Sequence, residues 1–158
     1  MTIKVGDRIP TATLNYVKDG VQAISTDDIF GGSKVVLFSV PGAFTPTCSA
    51  KHLPGYVDRI AEFRERGYKV ACVAVNDAFV MSAWAKDQDV PDDVLMLADG
   101  NGAFARSLGL DMDASAFGMG TRSKRFTLIS EDGVVKQLHV EAPGEFRVSS
   151  AEHVLENL

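Results

Sequence analysis

Cys48 lies in the segment Pro41-Gly42-Ala43-Phe44-Thr45-Pro46-Thr47-Cys48-Ser49, a setting suited to a reacting thiol. Before it runs the apolar stretch 34–40, bounded by Gly31-Gly32 and Pro41, which reads as a buried strand. After it, Leu53, Tyr56, Val57, Ile60 and Phe63 recur at helical spacing across 47–66, with Gly67 as the stop and Pro54 as an internal bend. The spacing therefore predicts a thiol in the first turn of a helix, beyond the carboxyl end of a strand, where open α/β sheets bind ligands. Free N–H groups and the positive end of the helix dipole meet there and favour thiolate, the nucleophilic form of cysteine. Position alone also allows a small hydrophobe at a helix start.

The neighbours bear on that choice. Thr45, three residues before the thiol, has a hydroxyl that can donate and accept, for chemistry or as a helix cap. Arg122, Lys124 and Arg125 form a basic cluster just before and into a predicted strand. An arginine reaching the thiol would hold a thiolate by charge and forked hydrogen bonds, and spacing alone does not say whether Arg122 gets there. Lys124 reads as solvated rim. His52 follows Cys48 by four residues, so the two can share a helix face. A Cys–His pair suggests a hydrolase, but no orienting acid is evident and His52 is read as a packing residue. His139 and His153 lie apart, and no Cys-x-x-Cys or His-x-x-x-His spacing exists, so no metal site is expected. Gly118-x-Gly120 neither follows a strand nor opens a capped helix, which disfavours a dinucleotide site.

Strands and helices alternate around these residues. Residues 11–17 and 21–24 flank Lys18-Asp19-Gly20, and 126–130 and 134–140 flank Glu131-Asp132-Gly133, both hairpin signals. Residues 69–75 and 94–98 read as strands, with helices from Asn76-Asp77 to about 86, at 103–108, and from Ser149 or Ser150 to the end. The stretch 111–121 reads as a loop, and Trp84 as a core or interface aromatic. One α/β domain over 1–158 is expected, its sheet mixed because hairpins join a βαβ unit.

Composition narrows the classes. With 16 Lys and Arg against 21 Asp and Glu, the formal charge is −5, which disfavours broad nucleic-acid binding. Two cysteines, Cys48 and Cys72, are too few for a disulfide scaffold and favour a reducing compartment. Asp7 and Arg8 interrupt the place of a signal peptide, and no run approaches the roughly 20 apolar residues of a membrane span. A cytoplasmic protein is expected, with no membrane partner.

Pro41-x-x-x-Thr45-x-x-Cys48 resembles the signature of the peroxiredoxin family, and the whole segment to Ser49 is similar to its peroxiredoxin 5-like, or type II, subgroup. The likeness continues through Lys51–Gly55 written as Lys51-His52-Leu53-Pro54-Gly55, through Val75-Asn76-Asp77-Ala78-Phe79-Val80-Met81, through Thr121-Arg122-Ser123-Lys124-Arg125-Phe126, and through Glu131-Asp132-Gly133-Val134-Val135-Lys136. The resemblance implies a thioredoxin-like fold, a central mixed sheet flanked by helices, and a thiol peroxidase without metal or organic cofactor. It makes Cys48 the peroxidatic cysteine, oxidised to sulfenic acid, with Thr45 and Arg122 completing the site and Pro41 shielding it. The chemistry agrees, since a leaving oxygen needs donors aimed at its growing charge. Thr45, Arg122 and the Cys48 N–H suit that task.

Cys72 decides recycling. In some type II relatives a cysteine near this place resolves the sulfenic acid, while another branch uses a cysteine near the C-terminus, where Gly144–Ser149, read as Gly144-Glu145-Phe146-Arg147-Val148-Ser149, has none. A disulfide needs Cα atoms within about 7 Å, and a mid-strand Cys72 is read as an inert buried thiol. Glutathione would then take the sulfenic acid and a glutaredoxin would remove it. The alternative is a Cys48–Cys72 disulfide reduced by thioredoxin. A peroxide sensor or redox relay, and a thioredoxin-like binding module, remain different classes of function. The family further implies a homodimer near the active-site loops, for which Phe44, Phe79, Trp84 and Phe117 are candidates.

Overall fold

The computed structural model describes all residues, 1–158. At its centre three parallel strands stand side by side, β3 (Lys34–Ser39), β4 (Tyr68–Ala74) and β5 (Leu95–Ala98). Their residues are apolar on both faces, as a sheet covered on both sides requires. Antiparallel strands extend each edge. β1 (Thr13–Val17) and β2 (Val21–Ser25) continue from β5, and β8 (Phe126–Glu131) and β9 (Val134–Val140) continue from β3. The order is β2-β1-β5-β4-β3-β8-β9, the mixed sheet of a thioredoxin-like α/β fold. Both hairpins turn on Asp-Gly pairs with positive φ, 54° and 97° at Asp19-Gly20 and 49° and 78° at Asp132-Gly133. Those values match the right-handed twist of the strands they join.

Period-two alternation sorts the strand side chains into two cores. Val36, Phe38, Val70, Cys72 and Ile129 face one side, where they pack with Cys48, Leu53, Tyr56 and Phe63. Val35, Leu37, Ala71, Val73 and Leu128 face the other, against Ile29, Phe30, Phe104 and Leu108. The first side is covered by α2 (Leu53–Asp58), α3 (Ile60–Glu65), α4 (Ala78–Asp87) and α6 (Ala151–Glu156). The second is covered by α1 (Thr26–Phe30) and α5 (Ala103–Leu108). Trp84 is fully buried in the first core, so it is not a surface residue.

Three elements differ from the sequence reading. The single bent helix over 47–66 is segmented: a π-helical turn at Cys48–His52 runs into α2, and Arg59 (φ −111°) breaks α2 from α3. Pro54 offers no N–H to the carbonyl four residues back and its ring crowds it. The wider turn, in which the Leu53 N–H bonds to the Cys48 carbonyl, absorbs that misfit just before the proline. The stretch 111–121 is not a plain loop but carries β6 (Asp111–Asp113), a 3₁₀ turn at Ser115–Phe117 and the start of β7 (Thr121–Ser123), paired as a small separate sheet. Its strands are three residues each and mostly polar, too short to show alternation. The five-residue α1 was likewise too short for periodicity, and its signal is the Ser25 cap, whose side chain accepts from the Asp28 N–H.

Candidate active site

The chain leaves β3 at Ser39 and enters a tight loop before the helix that begins at Pro46, a residue well suited to a first helical position. The loop is pinned from outside. The Ala43 N–H donates to Asn76 Oδ1 at 2.9 Å, tying it to the segment between β4 and α4. Phe44 is held at a φ of 63°, with its ring about half exposed. The Cys48 side chain has no exposed surface, and its N–H bonds to no other group of the chain. Ser49, beside it, accepts a hydrogen bond from the Trp84 indole at 3.0 Å.

Arg125 reaches the sulfur. Its Nη2 donates to Cys48 Sγ at 3.1 Å, while Nη1 lies 2.7 Å from His52 Nδ1. The opposite imidazole nitrogen, Nε2, lies 3.1 Å from the Ser149 carbonyl, which can only accept. Nε2 therefore carries the proton and Nδ1 presents a lone pair to the guanidinium. Burial, helped by the Arg125 charge and opposed by the Ser149 bond, holds His52 at about 3, so the ring is neutral. A neutral acceptor orients the guanidinium without cancelling its charge. Phe146 completes the enclosure, 5.0 Å from the His52 ring and 5.7 Å from the guanidinium carbon.

Arg122 does not make the expected contact. Its Nε donates to the Met119 carbonyl at 3.0 Å, and Nη1 donates to the carbonyls of Val75 at 3.2 Å and Pro41 at 3.4 Å. It is a strut joining three loops around the site. The reason lies in the strands. Arg122 belongs to β7 in the small sheet, whereas Arg125 directly precedes β8, the neighbour of β3, with Ser39 opposite Phe126. Alternation along β8 sends Phe126 and Leu128 to the far core and Ile129 to the near one, so Arg125 has the parity of the near face, where Cys48 lies. Thr45 Oγ1 donates to the Gly42 carbonyl at 2.6 Å and makes no helix cap. A Cβ on Gly42 would come within 3.0 Å of Arg122 Nη1 and 3.2 Å of Thr45 Cγ2, so glycine is what lets these groups close on one another. Pro41 and Thr47, with Met112, Lys124, Glu141 and the Arg125 that reaches the thiol, line a cavity of about 220 Å³. Lys124 is exposed at its rim.

A Redoxin family model matches residues 4–155. Over 99% of this chain and 70% of its own length, peroxiredoxin-2E, chloroplastic, of Arabidopsis thaliana is 47% identical. The chain belongs to the type II peroxiredoxins. Reduced Prx3 of Vibrio vulnificus in complex with hydrogen peroxide superposes on this peroxiredoxin with a TM-score of 0.94, at 47% identity and 99% coverage of both chains. A Burkholderia cenocepacia protein described as a putative thioredoxin reductase superposes at 0.98, with 48% identity over 100% of this chain and 99% of that one. Membership rests on the Redoxin match and the peroxiredoxin identities rather than on that label.

The peroxiredoxin is a thiol peroxidase, and Cys48 is its peroxidatic cysteine. Its second thiol has a different setting. Cys72 is fully buried in β4 between Phe38 of β3 and Met96 of β5, and no disulfide joins it to Cys48. Burial, reinforced by the nearby Cys48 and opposed by Arg125, pushes the Cys72 thiol well up. Two contributions of the site were missed in the sequence. Arg125 stands in the basic cluster of the sequence without an assigned role, and the parity of β8 singles it out only once β7 is known to belong to a separate sheet. His52 does pack, against Phe38 at 5.0 Å and Tyr56 at 5.7 Å, but it also holds Arg125. Nothing in the spacing 48 to 52 to 125 announces that three-residue junction.

Proposed function

We propose that the enzyme reduces hydrogen peroxide and organic hydroperoxides at Cys48 and is recycled by glutathione, with a glutaredoxin removing the adduct. The thiolate attacks the terminal oxygen of ROOH, the O–O bond breaks, Cys48 becomes sulfenic acid and RO⁻ leaves to be protonated as ROH. Arg125 stabilises the thiolate and then the charge growing on the leaving oxygen, together with the free Cys48 N–H. Thr45 Oγ1, already donating to Gly42, keeps lone pairs to accept the peroxide O–H. Glutathione then condenses with the sulfenic acid, releasing water, and a second thiol exchanges the mixed disulfide. Pro41, in the loop and lining the adjoining cavity, limits water.

The observation that carries the recycling half is the burial of Cys72 in the middle of the ladder. Bringing its sulfur to an attacking position would break sheet hydrogen bonds, and its raised thiol supplies little thiolate. One observation favours the competing scheme, a Cys48–Cys72 disulfide reduced by thioredoxin: both sulfurs belong to the same core cluster. Mass spectrometry after peroxide treatment without reductant separates them, since a sulfenic acid gains one oxygen and a disulfide loses two hydrogens. Turnover with glutathione and glutaredoxin by Cys72→Ser supports our reading; loss of turnover with every reductant, with one peroxide still reduced, makes Cys72 the resolver. Single oxidation that no reductant reverses would make the protein a peroxide sensor. Glutathione recycling suits a reducing compartment such as the cytoplasm. Phe44, Phe79 and Phe117, 52%, 71% and 82% exposed, support a homodimer, and sedimentation as a monomer in analytical ultracentrifugation would refute it.

A further inference from the structure

Glu141, just past the end of β9, is a buried carboxylate that no salt bridge neutralises. It accepts instead from the loop that follows it. The N–H groups of Arg147, Val148 and Ser149 donate at 2.8 to 2.9 Å, and the Ser149 hydroxyl donates at 2.7 Å. The Glu141 N–H itself donates to the Arg125 carbonyl at 2.9 Å, so the residue is tied to Arg125 at its backbone and to Ser149 at its side chain. Burial alone would raise this carboxyl, but the Ser149 hydroxyl and the N–H groups of Arg147, Ser149 and Val148 outweigh it and hold it below the usual carboxylate range.

What the carboxylate fixes is a single carbonyl. Ser149 O accepts from His52 Nε2 at 3.1 Å, Tyr56 Oη at 2.7 Å and Thr127 Oγ1 at 2.9 Å. The first of these bonds sets the His52 tautomer, and the tautomer sets the lone pair that holds Arg125. We infer that Glu141 is a positioning residue for peroxide reduction, acting on Cys48 through Ser149, His52 and Arg125. A buried carboxylate surrounded only by donors is costly unless all of them stay in place. That makes the carboxylate a lock on the loop 141–149, including Phe146 over the Arg125–His52 pair. Its charged neighbours across the adjoining cavity are Lys124, Arg125 and Glu145, so replacing Glu141 also changes the charge facing them.

This rests on the reading of Arg125 as the group that stabilises the thiolate, and the experiment keeps the two apart. The second-order rate of peroxide reduction is measured against pH for wild type, Glu141→Gln, Arg125→Met and the double variant, with circular dichroism to establish folding. The expected result is a fall of about tenfold for Glu141→Gln, less than the loss of a donor itself because the guanidinium stays and only its orientation is loosened, with the pH profile moved toward alkaline pH. In the Arg125→Met background Glu141→Gln should have no further effect, because both act through the same guanidinium. Should Glu141→Gln fail to fold, Ser149→Ala removes one donor to the carboxylate and should move the profile the same way by less. An unmoved profile, or effects that add in the double variant, overturns the inference while leaving Arg125 in its role. A wild-type rate and profile for Arg125→Met overturns the reading beneath it.

Discussion

Cys48 and Cys72 share a core and the same lack of exposed surface, yet their surroundings are opposite. Cys48 stands in a π-helical turn after a loop, with a guanidinium on its sulfur. Cys72 is locked in a central strand whose neighbours pair on both sides, and its thiol is pushed well up. Burial therefore does not decide which thiol reacts. A guanidinium donates to the sulfur at one site, while at the other burial without a donor on the sulfur favours the thiol.

The sharpest way to break this contrast is to exchange sulfur for oxygen at each place. Cys48→Ser should reduce peroxide consumption to the uncatalysed background in a coupled assay, the largest effect expected anywhere in the chain. Arg125→Met comes next, with a loss of about 10² to 10³-fold in the second-order rate, the usual cost of removing one donor from developing charge. Arg122→Met should cost less than Arg125→Met and should lower the thermal midpoint, because it loosens three loops while leaving the sulfur's donor in place. Equal losses for the two arginines would mean that the strut and the donor cannot be told apart.

A pH experiment tests the neutral histidine. In the unfolded chain an imidazole titrates near about 6.5, whereas burial and Arg125 hold His52 at about 3. Between these values the unfolded chain takes up a proton that the folded chain refuses, so stability falls as pH drops from neutrality toward 3. Glu141 adds to the loss at lower pH, because a carboxyl held below its usual range contributes stability that disappears on protonation. Urea midpoints measured at successive pH values should show this decline, and His52→Gln should flatten its upper part. The smallest effect on turnover belongs to Cys72→Ser. It should leave peroxide reduction intact while costing about 1–3 kcal/mol of stability, the penalty of a buried hydroxyl without a partner.

The sequence made Cys48 legible because residue type, strand end and helix start converge on one position. Most strands were legible too, since Asp-Gly turns and continuous apolar runs leave few alternatives. Arg125 was not, because choosing it over Arg122 requires knowing that β7 belongs to a separate sheet, and the polar triplets of β6 and β7 carry no alternation. The π turn was half legible: Pro54 announced a distortion without saying that it would be taken up before the proline rather than as a bend at it. Glu141 was illegible for another reason, since all but one of its partners are backbone N–H groups, which every sequence contains.

The only tryptophan of the chain donates its indole N–H to the residue next to the reacting sulfur. Indole emission is sensitive to that hydrogen bond and to the polarity around it. The protein is thus built with its own optical probe, and stopped-flow fluorescence without any added dye can time oxidation of the thiol and its return.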